Sequence, residues 1–318
     1  MSGSDGPVLY DLRLRIAADY PSTVKEARHI LRMRPRRRAN QEVLGETLRL
    51  TPAPDEMRGV ADFFGNACDH VAILKQHEML DADLVARVRV APTAFDPAGA
   101  PSLAETAEAA RTSRETGATA PVHFRGASRL LRPSPAIMDF GRDFAAAPNV
   151  AEAALAMTKA IHAGFTYASG ETGIDTPVET VLRTRRGVCQ DFAHLMIAAL
   201  RGLGLPAAYV SGFLRTEPPP GRPRLAGADA MHAWVAVWLG PSLGWREFDP
   251  TNGVAANVDH LVVAIGRDYA DVAPMGGVVT TSGGQMARHE VDMVPVEDAE
   301  ALADKPAGAV NELVRQTR

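Results

Sequence analysis

The stretch RGVCQDFAHLMIAALRGL, from Arg186 to Leu203, constrains this chain more than any other. Phe192, Leu195, Met196, Ala199, Leu200 and Leu203 recur at three- and four-residue intervals, the spacing of one face of an amphipathic helix. Gly187 breaks what precedes it, Gly202 and Gly204 weaken the far end, and Pro206 stops it. Cys189 therefore falls at or just before the first turn, where backbone N–H groups lack partners and the helix dipole is positive. A thiolate is the kind of anion such a position stabilises. Cys189 is a candidate nucleophile, with a structural cysteine as the alternative reading.

The elements around this helix give an α+β order. Helical patterns at Ala136–Phe144 (Ser134 and Pro135 at its start), Val150–His162 and Val178–Thr184 precede it. Strand patterns at Ala207–Leu214, Ala230–Leu239 and Trp245–Phe248 follow, and helices followed by an antiparallel sheet make an α+β unit. In MHAWVAVWLG, alternation puts His232, Trp234, Ala236 and Trp238 on one strand face. Asp249 ends the next strand, just before the turn Pro250-Thr251-Asn252-Gly253. A nucleophilic cysteine needs a base beside it, and that base needs a third group to fix its tautomer. A helix start, a strand and a neighbouring strand end can bring the three to one edge of a sheet. The loop Thr216–Gly227, with three consecutive prolines, reads as a surface flap.

The remainder of the 318 residues is long for one domain and fits two. Val8, Tyr10, Leu12, Leu14 and Ile16 alternate as in a half-buried strand. Similar runs lie around Ala27–Met33, Gln41–Leu50, Met57–Phe63, Asp69–Gln76 and Leu84–Val90. Breaks at Pro35, Pro52–Pro54, the turn Gly65-Asn66 and His77–Asp81 separate them. This spacing predicts an all-β, sandwich-like domain over 1–95. Residues 96–133, rich in Ala, Pro, Gly, Ser and Thr, read as a linker with one short helix capped by Ser102 and Glu105 and running to about Glu115. The α+β core is expected over 134–297 and a charged, frayed tail over 298–318. A net charge of −4 gives no reason to expect nucleic acid, and the run Arg32, Arg34, Arg36, Arg37, Arg38 reads as a solvated or interdomain face. Two cysteines cannot build a disulfide framework, and no uninterrupted apolar run reaches ~18 residues. A cytoplasmic protein without a membrane partner is the expectation.

GVCQDFAHLMIAALRGLGLPAAYVSGF, DAMHAWVAVW and WREFDPTNG, in that order, closely resemble the transglutaminase-like core of bacterial transglutaminase-family proteins and cysteine peptidases. The stretch Gly266–Pro274 and the strand-rich N-terminal region with Phe64-Gly65-Asn66 resemble the same subgroup. The resemblance implies a papain-like cysteine fold behind an all-β N-terminal domain. It implies Cys189 as nucleophile, His232 as general acid/base and Asp249 as the residue orienting His232. The family forms a thioester from an amide and passes the acyl group to water or an amine, so the implied partner is a peptide, protein or small amide. No cofactor, calcium included, is carried over.

Animal transglutaminases resembling this core place a tryptophan before the nucleophile, whereas Trp234, Trp238 and Trp245 all follow Cys189. Hydrolysis or deamidation is therefore expected ahead of cross-linking. The Cys189 N–H is one oxyanion donor, and Tyr167 is a candidate for the second, with core packing as its other reading. Gln190 follows the nucleophile in the family pattern. Asp229 reads as a substrate contact or a turn residue. Asp191 also follows the nucleophile and reads as a residue favouring the helix N-terminus; its charge sits too close to favour a thiolate, so it is expected to point away or pair with Arg267 or Arg186. His194 could complete a zinc set with Cys189, His232 and Asp249, while Arg267 and Asp268 read as polar support behind the site. Two other classes stay open: a binding module on the same fold, against which the intact Cys/His/Asp set argues, and a zinc hydrolase.

Overall fold

The structure, a computed structural model, describes residues 6–216, 231–283 and 286–296. Its first six strands are β1 (Val8–Val24), β2 (Glu26–Leu31), β3 (Gln41–Thr51), β4 (Glu56–Ala61), β5 (Ala67–Ile73) and β6 (His77–Val90). In β1 the alternation buries Tyr10, Leu12, Leu14, Ile16 and Ala18. The residues between them turn outward and pair across the sheet: Arg87 with Asp11 at 2.7 Å, Arg13 with Asp83 at 2.9 Å and Arg15 with Asp81 at 2.7 Å. These ladders correct one expectation, because His77–Asp81 is not a break. Asp81, Leu80 and Met79 lie opposite Ala17, Ala18 and Asp19, so pairing with β1 outweighs a local composition poor in strand formers.

The chain continues through α1 (Leu103–Thr112), α2 (Pro135–Arg142), α3 (Val150–Gly164), β7 (Thr166–Tyr167), α4 (Val178–Thr184), β8 (Arg186–Gly187) and α5 (Cys189–Gly202). Ser102 and Glu105 form the expected capping box of α1, which ends at Thr112 rather than near Glu115. Then follow β9 (Ala207–Leu214), β10 (Met231–Trp238), β11 (Trp245–Asp249), β12 (Val254–Ala255), β13 (His260–Gly266), α6 (Tyr269–Val272), β14 (Met275–Thr280) and β15 (Met286–Pro295). A five-stranded sheet runs β12-β11-β10-β9-β13. Ala233, Val235 and Val237 share a core with Phe192, Leu195, Met196 and Ala199 of α5, while Trp234 and Ala236 on the other face pack with Phe64 and Phe124. The proline loop beyond Thr216 and the tail from 297 lie outside the described residues.

The sandwich consists of two four-stranded sheets, β15-β1-β6-β3 and β14-β2-β5-β4. Its outer strands come from the far end of the chain: β15 pairs with β1 from Tyr10↔Pro295 to Asp19↔Met286, and β14 pairs with β2. The stretch 134–297, expected to be core alone, thus supplies two strands to the N-terminal unit. Such pairing depends on contacts between opposite ends of the chain, which local periodicity cannot report.

The two units meet along β13. Gln41 accepts from the Val262 N–H at 2.8 Å and donates to the Val262 carbonyl at 2.7 Å. Asn66 does the same for Ile265, at 2.8 Å each way. Two side-chain amides therefore stand where a sixth strand would pair. The basic run lies nearby and is bonded within the protein: Arg32 to Asp62, Arg34 to Asp69, Arg36 to Asn66 and the Phe64 carbonyl, Arg37 to the Val43 carbonyl, and Arg38 to Glu247 of β11. Gly65, at φ 76°, makes the turn that delivers Asn66.

Candidate active site

Cys189 is the first residue of α5, with Val188 at the N-cap position. Valine has no side-chain acceptor, so the cap is supplied from inside the helix. Asp191 folds back to accept from the Val188 N–H at 2.8 Å and from the Thr172 hydroxyl at 2.6 Å. This agrees with Asp191 as a residue of the helix N-terminus and corrects its expected pairing with Arg186 or Arg267. Arg186 is bound to Glu171 and Arg267 to Asp271, and Asp191 is a buried cap that orients the turn carrying the thiol. Gly187 makes room for it, since a Cβ there would lie 2.8 Å from Asp191 Cβ and Oδ2. Gly187→Ala is expected to displace this cap and cost about 1–3 kcal/mol of stability, read as a lowered Tm. An unchanged melt would show that the carboxylate moves freely.

On β10, His232 stacks on Trp234 with ring centroids 5.9 Å apart. Its neighbour on β9 is Gly212, where a Cβ would come within 2.6 Å of the Trp234 ring. His232 Nε2 donates to Asp249 Oδ2 at 2.8 Å, which leaves Nδ1 as the ring nitrogen available to the nearby Cys189. Burial alone would push the imidazole pKa down. The hydrogen bonds and charges of Asp249 and Cys189 outweigh it and raise the value to about 10. Asp249 is fully buried, which by itself would raise its pKa, yet bonds from His232 and His260 hold it well below the usual carboxylate range.

The Asp249 carboxylate is saturated with donors. Oδ1 accepts from the Thr251 and Asn252 N–H groups at 2.9 and 3.2 Å, and Oδ2 from the Asn252 amide at 2.6 Å and from His260 Nε2 at 3.1 Å. Asn252 and His260 were not among the residues singled out from sequence. Asn252 lies in the turn after Asp249, where an Asx-type role could have been read, but His260 reaches the site only through the pairing of β13 with β9.

The other candidates divide. Tyr167, on β7 beside Gly187, lies near Cys189 and is 56% exposed. Partial desolvation, then the neighbouring Cys189 and Asp191, raise its hydroxyl pKa, so it stays a donor. The Gln190 amide donates to the Ile174 carbonyl at 3.3 Å. His194 is buried elsewhere: its Nε2 accepts from the Tyr269 N–H at 3.2 Å, and burial pushes its pKa down to about 4. The zinc set of Cys189, His194, His232 and Asp249 is thereby corrected. Among the described residues, the ligand atoms that gather within 4.8 Å are those of His232, Asp249 and His260, and both imidazoles already bond one carboxylate oxygen. Asp268 caps α6 through the Ala270 N–H and accepts from the Leu130 N–H, and the Arg267 carbonyl accepts from Arg201. Asp229 lies outside the described residues.

A helix-start cysteine meeting a His–Asp pair on adjacent strands of an antiparallel sheet defines a papain-like cysteine core. The family comparison agrees. The model of the transglutaminase-like superfamily matches residues 139–250, and that of the bacterial transglutaminase-like N-terminal region matches residues 10–89. An uncharacterised protein of Mycobacterium tuberculosis is 38% identical over 274 residues, covering 83% of this chain and 85% of that protein. A protein-glutamine gamma-glutamyltransferase of Pseudomonas aeruginosa is 36% identical over 126 residues, 38% of this chain and 18% of the other. The crystal structure of a candidate cysteine protease from Cytophaga hutchinsonii shares the fold, with TM-score 0.72 and 23% identity over 92% of each chain. The chain belongs to the transglutaminase-like superfamily, and its membership supports cysteine-dependent hydrolase or acyltransferase chemistry in general terms. Among the described residues no helix is long and apolar enough to cross a membrane.

Proposed function

We propose that the protein is a cysteine-dependent amide hydrolase with Cys189 as nucleophile, His232 as general acid/base and Asp249 as its orienting partner. The observation that carries this reading is His232 beside Cys189 at the start of α5 with its Nε2 held by the Asp249 carboxylate at 2.8 Å. His232 takes the Cys189 proton, the sulfur attacks the amide carbonyl, and the oxyanion develops near the α5 N–H groups and the Tyr167 hydroxyl. His232 gives its proton to the leaving nitrogen, the C–N bond breaks, and a thioester remains. His232 then takes a proton from water as the oxygen attacks, the C–S bond breaks, and the acid leaves while the thiol recovers its proton. Peptides, proteins and small amides are the proposed substrate class. The reducing cytoplasm, which keeps such a thiol free, is the proposed compartment. Water is the favoured acceptor because no tryptophan precedes Cys189.

A p-nitrophenyl ester tests the acyl-enzyme directly. A stoichiometric burst of p-nitrophenol is expected from the protein, followed by turnover that an added primary amine does not accelerate. Acceleration by the amine would shift the reading to acyl transfer. A burst abolished by a chelator and restored by zinc would replace it with metal chemistry at His232, Asp249 and His260.

A further inference from the structure

We infer that His260 is a positioning residue of this site, acting through Asp249, and that the N-terminal sandwich holds it there. The inference rests on the proposed roles of Cys189, His232 and Asp249. An ionised carboxylate can only accept hydrogen bonds, so the 3.1 Å contact to Asp249 Oδ2 places a proton on His260 Nε2. Nδ1 faces Asn257, lying 3.2 Å from its N–H and 3.0 Å from its Oδ1, which fixes the ring plane. Two imidazoles therefore grip one oxygen from different strands: His232 on β10 and His260 at the start of β13. The His260 side chain is almost wholly buried and Asp249 entirely so. Loss of this donor leaves Oδ2 with His232 and the Asn252 amide alone, so the carboxylate is held less firmly against His232. Outer hydrogen-bond partners of metal-ligating side chains change affinity or activity by about 10–100-fold, and the lower end of that range is expected for His260.

The sandwich fixes His260 from two sides. Tyr10 of β1 donates to Asp259 Oδ1 at 2.9 Å, one residue before His260, and Gln41 of β3 pairs with Val262, two residues after it. The N-terminal unit thus sets where β13 begins relative to β11, and so the distance at which His260 meets Asp249.

The test is iodoacetamide alkylation of Cys189 at pH 6 in a Cys68→Ala background. His260→Phe is expected to slow it about ten-fold, and His260→Gln, which keeps an N–H donor, to recover most of the rate. In an Asp249→Asn background, His260→Phe is expected to add little, because both act on one group. Equal losses in the Phe and Gln variants at native melts, or additivity with Asp249→Asn, would overturn the inference. Should His260→Phe not fold, proton NMR of the unaltered protein decides. Two low-field imidazole N–H resonances, from His232 and His260, are expected, both displaced in Asp249→Asn, and displacement of only one overturns it. His232→Ala separates the two claims. If it leaves alkylation unchanged, the reactive Cys–His pair itself fails. If it slows alkylation while His260→Phe does not, only the role of His260 fails.

Discussion

With Cys68 replaced by alanine, His232→Ala is expected to slow alkylation of Cys189 by iodoacetamide at pH 6 by ten- to a hundred-fold, and Cys189→Ala to abolish both alkylation and the p-nitrophenol burst. The expectation follows from charge. His232 carries its proton through the neutral range because Asp249 and Cys189 raise its pKa to about 10 against the pull of burial. A positive ring beside the sulfur attracts the negative charge that the sulfur carries as it attacks. Two unit charges about 4 Å apart exchange about 4 kcal/mol at an effective dielectric near 20. A hundred-fold effect needs about 2.8 kcal/mol, which lies inside that range. Cys68 is removed so that the signal belongs to one thiol, although burial already pushes its pKa up. Undiminished alkylation in His232→Ala would mean that the helix start alone activates the sulfur.

Asp249→Ala is expected to be the most damaging single change to the core of the site, costing about 3–5 kcal/mol of stability along with nearly all acylation. It would strip an acceptor from His232, His260, the Asn252 amide and the Thr251 and Asn252 N–H groups at once, in a place with no exposure. Asp249→Asn separates the two losses. It preserves volume and much of the turn but presents His232 with an amide that can donate, so a rate loss on the order of 10⁴ with a smaller drop in Tm is expected. A variant that melts normally and still acylates at the native rate would remove Asp249 from the mechanism.

The same pair gives a pH dependence with a definite sign. The folded-state pKa of His232 is raised above its ordinary value near 6.5, so the stability it contributes is fully present below that value and is lost as pH rises through about 10. The difference in Tm between the protein and His232→Gln should therefore shrink from pH 6.5 toward pH 10. A difference that widens with pH would mean that the folded protein prefers the neutral ring. Asp249 acts in the opposite direction. Its depressed pKa contributes stability above the ordinary carboxylate range and loses it only under strongly acidic conditions.

What the sequence made legible were the elements whose signal is local. Helix α4 and strand β9 fall on the residues their patterns mark, Val178–Thr184 and Ala207–Leu214. Cys189 at a helix start, His232 on a strand and Asp249 at a strand end could be placed because glycine breaks, alternation and a Pro-Thr-Asn-Gly turn bracket them. The structure then brings the three together. Residues whose roles depend on distant pairing could not be read in this way. His260 meets Asp249 only after β13 docks on β9. Met79 and Asp81 look like part of a break until β1 pairs with them, and β14 and β15 fold back onto strands near the opposite terminus. Asp191 was legible as a residue suited to the helix N-terminus, but not as the cap itself. The empty cap position at Val188 gives its carboxylate a backbone N–H to accept from, in place of the expected pairing with Arg186 or Arg267.

The seam at β13 bears on how this architecture can be divided. The outermost strand of the five-stranded sheet has its Val262 and Ile265 backbone groups closed off by the amides of Gln41 and Asn66, not by another strand. A fragment beginning at the linker would expose that strand as an open template, ready to stack with copies of itself. The sandwich is therefore a stopper as well as a neighbour, and it in turn takes β14 and β15 from beyond the five-stranded sheet. Each half of the molecule finishes the other, so neither can be exchanged as a free-standing cassette, and cutting at the linker trades a closed edge for a polymerising one.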